Sequence, residues 1–157
     1  MRRFAVVLAL VAAGCRQNDD PDGAKALYDK VNSGAGFKSA PWSRAPGFPE
    51  RKPSFTAHST EVEIWINEPM VKALAGPEQI TAWPEGSIVV KEGFASATKR
   101  SLVAIMEKRK DGWYFTELDG DGEPLWSASD GKPSLCVDCH GNRASYSDSI
   151  YSFELPR

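Results

Sequence analysis

A Cys-x-x-Cys-His run, "CVDCHG", fills residues 136–141 of a 157-residue chain. No other stretch constrains the fold as strongly. Cys136 and Cys139 have to share one turn of backbone with His140 beside them, and the rest of the chain must build whatever they face. Three chemistries use cysteines at this spacing. A structural zinc site needs four ligands, usually as two Cys/His pairs. Here the second pair is missing: the only other histidine is His58, and His140, adjacent to Cys139, cannot easily share a tetrahedral ion with it. A thioredoxin-like dithiol sits at a helix start after a strand in a βαβ unit, where its thiol pKa is lowered. The flank here is "GKPSL", with no such pattern around it. Covalent haem attachment is the third chemistry. Two cysteines on one turn reach the two vinyl groups along one porphyrin edge, and the following histidine turns its imidazole under the iron. Only this chemistry needs the histidine. We therefore expect one haem c, held through Cys136 and Cys139 and ligated by His140, with zinc and dithiol as the lesser readings.

The beginning of the chain points the same way. Arg2 and Arg3 precede an apolar run, Phe4 to Ala13, that is too short for a membrane span. Small residues Ala12, Ala13 and Gly14 then lead to Cys15. Residues 1–14 resemble a bacterial lipoprotein signal peptide, with cleavage before a lipidated Cys15. Ala12 departs from the leucine usual at its position, so plain secretory cleavage nearby is the alternative. Export would suit haem c, which is attached outside the cytoplasm. Losing Arg2 and Arg3 leaves 17 basic against 21 acidic residues, a net charge of −4, so lipid rather than a basic patch would hold the protein to the membrane. The expected location is the bacterial cell envelope, as a lipoprotein facing the periplasm. Nothing in the charge pattern suggests nucleic-acid binding; the run Lys108-Arg109-Lys110 reads as a solvated strand end.

Between leader and motif the pattern is mixed. Residues 15–54 read as a short helix from Asp22 to about Asn32, with Ala24, Leu27, Tyr28 and Val31 at helical spacing, then a proline-rich extended segment over the surface. Residues 55–157 read as the main domain. "EVEIWIN" alternates, with Val62, Ile64 and Ile66 on one face. Asn67 can cap a helix that has Pro69 in its first turn and ends at Gly76. "SIVVKEGF", "RSLVAIMEKR" and "GWYFTEL" supply three more strands, the last two joined by a turn at Asp111-Gly112. "DGDGEP" reads as a turn cluster, since it lacks the glycine and distant bidentate Glu of an EF-hand. The expected fold is α+β, mainly antiparallel sheet with a few helices, packed around one c-type haem.

The motif's position is informative too. Only 17 residues follow His140, and none is Met or His. A sixth iron ligand must therefore come from upstream or be missing, and a missing ligand leaves the iron open to small molecules.

Taken together, "HSTEVEIWINE", "WPEGSIVVKEG", "IMEKRKDGWYF", "SLCVDCHG" and "DSIYSFELP" resemble, in order over roughly residues 55–156, the cytochrome P-460 family, which includes the cytochromes c′-beta. The resemblance implies a mostly antiparallel sheet on one c-type haem, with His140 as proximal ligand. Some members carry a lysine crosslinked to the porphyrin and oxidise hydroxylamine. The lysine of the matching "VVKEG" strand is Lys91. Others lack the crosslink and bind nitric oxide or similar gases at an open iron. Some hold a carboxylate over the haem to move protons; no match is found here, the third strand being apolar until Glu107. Lys91 and Glu92 point to opposite faces of their strand. The face of Ile88, Val90 and Glu92 is the more apolar and competes for the core, which would leave Lys91 in solvent; the opposite outcome puts it on the haem side.

The functional expectation is an exported mono-haem cytochrome that binds or redox-converts a small nitrogen species, such as nitric oxide or hydroxylamine, at an open or weakly ligated iron. Haem oxidoreductase activity is one form of this. The alternative is a low-spin periplasmic electron carrier with Met106, Met70 or His58 as sixth ligand. Expected partners are the small gaseous or nitrogenous ligand, a periplasmic redox protein, the membrane through its lipid anchor and a second copy of the chain as homodimer.

Overall fold

The computed structural model describes residues 18–77, 81–143, 147–150 and 152–153. The expected signal peptide and Cys15 lie outside the described residues.

The first helix, α1 (Pro21–Asn32), starts where the sequence says it should. Asp20 accepts a hydrogen bond from the Gly23 amide at 3.0 Å, and Pro21 occupies the first turn. Ala24, Leu27 and Val31 form its buried stripe. The proline-rich segment after it is not merely a surface strap. Phe37 and Ala45 are buried, and two short strands, β1 (Ser43–Arg44) and β2 (Lys52–Pro53), pair side by side along one edge of β3 (Glu61–Ile66).

From β3 the chain builds an antiparallel sheet with β4 (Ile88–Phe94), β5 (Arg100–Arg109), β6 (Gly112–Asp119) and β7 (Pro124–Trp126). Its order is β1-β3-β4-β5-β6-β7, with β2 also on β3. Helix α2 (Glu68–Ala75) lies between β3 and β4, and α3 (Ser134–Arg143) follows β7. The protein is thus α+β with a mainly antiparallel sheet and three described helices. Asn67 sits at the start of α2 but makes no side-chain cap. Its amide instead bridges to β4, donating to the Gly86 carbonyl and accepting from the Ile88 amide. The "DGDGEP" cluster is a turn held by Asp119, which accepts from the Asp121 and Glu123 amides. Lys108 is not the solvated strand end expected of it, because its ammonium is tied to Asp148.

Both faces of the sheet are covered, so neither Lys91 nor Glu92 points into bulk water. One face presents Ile88, Val90, Val103, Ile105, Tyr114 and Leu118 to α1 and Phe37. The other presents Ile64, Ile66, Val89, Met106, Trp113 and Phe115 to α2, Trp83, Ile150 and the start of α3. The competition between faces expected from the sequence is resolved by burying both. Met70 is wholly buried on the inner side of α2, as core.

Candidate functional site

Helix α3 brings the motif to the sheet. The amides of Cys136 and Val137 both bond the Pro133 carbonyl, opening the helix immediately before the motif. Positions three apart share a helix side, so Cys136 and Cys139 are neighbours, both with free thiols. Cys136 packs against the core, while Cys139 is exposed. His140 turns inward. Its Nδ1 lies 2.8 Å from the Ser149 carbonyl oxygen. A carbonyl can only accept, so Nδ1 carries the proton and Nε2 the basic lone pair.

The strap that supplies this carbonyl is strained and well anchored. Asp148 and Ser149 both have positive φ, 50° and 68°, which non-glycine residues adopt only when surrounding structure imposes it. The anchors are visible. The Asp148 carboxylate accepts from the Lys108 ammonium at 2.7 and 2.8 Å and from the Trp83 amide at 2.9 Å. Ser147 bonds the Ile150 carbonyl.

Opposite α3, the sheet register lines up one row of side chains across four strands: Ile64, Lys91, Ala104 and Glu117. Between this row and α3 lies a small cavity of about 40 Å³. Its walls are mainly apolar (Ile64, Val89, Met106, Phe115, Phe153), and His58, Lys91, Thr116, Glu117, Cys136, His140 and Ser152 bring polar groups to it. A second cavity, about 260 Å³ and open to solvent, is lined by Phe55, Thr56, Ala57, His58, Lys91, Cys139 and His140. The two cavities therefore share His58, Lys91 and His140 in their walls.

His58 enters from the loop before β3. Its Nδ1 is 2.9 Å from Glu117 Oε2. The loop lies flat on β4 because residue 93 is glycine: a Cβ there would stand 2.7 Å from the His58 carbonyl oxygen. The His58 and His140 rings are 6.1 Å apart, centre to centre, and the Phe115 ring is 5.3 Å from that of His140.

Burial dominates the titration behaviour here. It pushes the Lys91 amine down to about 8, an effect that the Glu117 carboxylate partly offsets. It also lowers His140, against the Ser149 hydrogen bond and with help from His58 and Lys91. The Cys136 thiol is driven up to about 12 by burial, then by Glu117 and Cys139.

Of the residues expected from sequence, Lys91, Cys136, Cys139 and His140 come together at one place, and His58 and Met106 line the same cavity. Met70 does not line it. The sequence reading missed Glu117. It sought a carboxylate on the third strand, but the one in the cavity comes from the fourth. Period-two alternation in "GWYFTEL" does put Trp113, Phe115 and Glu117 on one face. What it cannot give is the register that sets Glu117 level with Lys91.

No known family model matches the chain, and no curated protein matches it either.

Proposed function

We propose that the protein is an exported mono-haem c-type cytochrome that binds or redox-converts a small nitrogen species, with haem c attached at Cys136 and Cys139 and His140 as proximal ligand. The observation that carries this reading is the helix bearing Cys136, Cys139 and His140, which faces a mostly apolar cavity where Lys91, His58 and Glu117 converge. The residues fit the group. The two thiols are neighbours on one helix, the imidazole is fixed in the tautomer that offers Nε2 to a metal, and Phe55, fully exposed, lines the outer cavity where it can cover a flat cofactor's edge. The raised Cys136 thiol weighs against a redox dithiol, which needs a thiolate. Among the described residues no group of three or more His, Cys, Asp or Glu could hold a metal ion.

The haem iron would supply the ligand-binding and electron-transfer chemistry. The chain supplies the rest. Ser149 orients His140, and the apolar walls exclude water and lower the local dielectric. Glu117 and His58 can hold or pass a proton beside the bound ligand. Lys91, with its amine near neutral-pH titration, offers a hydrogen bond, or a nucleophile for a crosslink to the macrocycle. The crosslink would be a two-electron oxidation and needs an external oxidant of the peroxide class. The leader reading places the protein in the cell envelope, lipidated at Cys15, with a periplasmic redox partner. A Cys15→Ser variant is then expected in the soluble periplasmic fraction, and an unmodified Cys15 in the native protein contradicts it. The direct test of function is an optical titration of the haem-loaded protein with nitric oxide. The reading expects a stoichiometric spectral change; no change at any concentration overturns it.

A further inference from the structure

Resting on the haem reading above, we propose that His58 is a second axial ligand to the iron, positioned by Glu117 and displaced when a small ligand binds. Four observations carry this.

The first is the pairing of the two imidazoles. His140 donates from Nδ1 to Ser149, and His58 has its Nδ1 on Glu117. An ionised carboxylate only accepts, so His58 also donates from Nδ1 and carries its lone pair on Nε2. Both histidines are thus set in the ligating tautomer by an outer partner, the arrangement that metal-bound imidazoles use.

The second is their spacing. Metal–imidazole bonds are roughly 2 Å, and a ring centre lies about 1 Å from its nitrogen, so two imidazoles on one metal have centres about 6 Å apart. The observed separation is 6.1 Å. The 61° between ring planes is no obstacle, because coordination through two nitrogens sets no fixed angle between the ring planes.

The third is the shape of the space. The inner and outer cavities share His58, Lys91 and His140 in their walls. A flat group spanning both would lie against the two imidazoles.

The fourth is the unequal anchoring of the two histidines. His140 is part of α3 and is held by an anchored strap. His58 precedes β3 and belongs to no ladder; its amide makes only a 3.4 Å bond to Thr56 Oγ1. The following residue, Ser59, has φ 84°. His58 can therefore leave without breaking sheet hydrogen bonds, whereas His140 cannot leave without disturbing α3 and the strap.

Glu117 is here a positioning residue. It fixes the His58 tautomer and, as an anion, raises the basicity of the imidazole.

The test uses the full chain, exported and haem-loaded. Electron paramagnetic resonance and optical spectra report spin state, and stopped-flow mixing with carbon monoxide reports displacement. The native ferric protein is expected to be low-spin with a two-imidazole signature. After reduction to the ferrous state, its carbon monoxide association rate should reach a plateau with concentration, set by departure of His58. His58→Ala should be high-spin, return to low-spin on adding imidazole, and bind carbon monoxide without a plateau. It is made also in a Lys91→Ala background, so that the neighbouring amine cannot take the vacated position. Glu117→Gln should keep the low-spin spectrum and raise the plateau rate about 10-fold, with Glu117→Asp returning it toward native. Retained thioether haem in denaturing gels confirms that each variant is assembled. A high-spin native protein, or low-spin spectra for His58→Ala in both backgrounds, overturns the proposal while leaving the haem reading intact. Absence of covalent haem in the native chain overturns that reading itself.

Discussion

Lys91 and Glu92 are adjacent on β4, yet the two faces of the sheet treat them in opposite ways. Glu92 faces α1 and is fully buried, with Arg100 at 3.2 Å and Lys38 at 2.6 Å on its two carboxylate oxygens. The Lys38 contact is an ion pair off the angle of a directed hydrogen bond. Arg100 continues to the Gly120 carbonyl and the Tyr28 hydroxyl. This charge is a clamp: it fastens the N-terminal segment and the β6–β7 turn to the sheet. Lys91 is only half-buried, and among the described residues it has no ion-pair partner within 4 Å. It faces open space beside Glu117 and His58. A fold that neutralises one charge and leaves its neighbour unpaired in a cavity is using the first for stability and has room to use the second for chemistry.

That contrast can be broken by experiment. The largest effect should come from the motif. Cys136→Ala with Cys139→Ala is expected to abolish covalent haem entirely, while Arg100→Ala on the other face should leave the thioethers formed, as haem staining of denaturing gels would show. Retention of covalent haem without the cysteines would remove the chemical meaning of the cavity face.

Next in size is stability. Arg100→Ala leaves Glu92 buried with only Lys38, and should lower unfolding free energy by about 2–3 kcal/mol. Lys91→Met removes a desolvated charge that has no ion pair, and should leave stability unchanged or raise it by about 1 kcal/mol. Denaturant midpoints measured together decide it; a larger loss at Lys91 than at Arg100 reverses the comparison.

A smaller effect concerns acid. Glu107 lies on the α1 face. Burial works to raise its carboxyl pKa, but hydrogen bonds from Lys30 and Arg109 outweigh this and hold it below the usual value. A group depressed on folding stabilises the native state above its unfolded pKa, and that contribution is lost as pH falls through the folded one. Stability should therefore decline below about pH 4.3, and Glu107→Gln should flatten the decline in denaturant midpoints between pH 5 and pH 3. An identical slope in the variant would show that the α1 face does not set acid stability.

The smallest expected effect, in population rather than consequence, is the crosslink. Tryptic mass spectrometry should find haem on the Cys136–Cys139 peptide in every molecule and, after exposure to peroxide, on the Lys91 peptide in a fraction of them. A Lys91 peptide that stays free restricts that amine to hydrogen bonding.

Much of this arrangement was legible in the chain. The helical spacing of Ala24, Leu27, Tyr28 and Val31 announced α1, the alternation of Val62, Ile64 and Ile66 announced β3, and strict period two placed Lys91 and Glu92 on opposite faces. The Cys136, Cys139 and His140 triplet was local and could be read directly. What could not be read was pairing between distant segments. Short strands β1 and β2 look like loop because their prolines and small length carry no periodic signal. Asn67 looked like a cap because its place in α2 is a cap position, but its bonds go to β4. Glu117 and His58 are 59 residues apart, and their meeting depends on strand register and on Gly93 letting the His58 loop lie close. The sequence named the residues proposed to hold the haem, but not the shape or the polar groups of the space they face.

The central claim is covalent haem on α3. It is tested most directly by expressing the full chain with its export leader alongside cytochrome c maturation factors, then denaturing it and extracting with acidified organic solvent. Haem that stays with the chain, on a peptide containing Cys136 and Cys139, is the predicted result. Haem that partitions into the solvent, or a protein that never acquires it, would contradict the account.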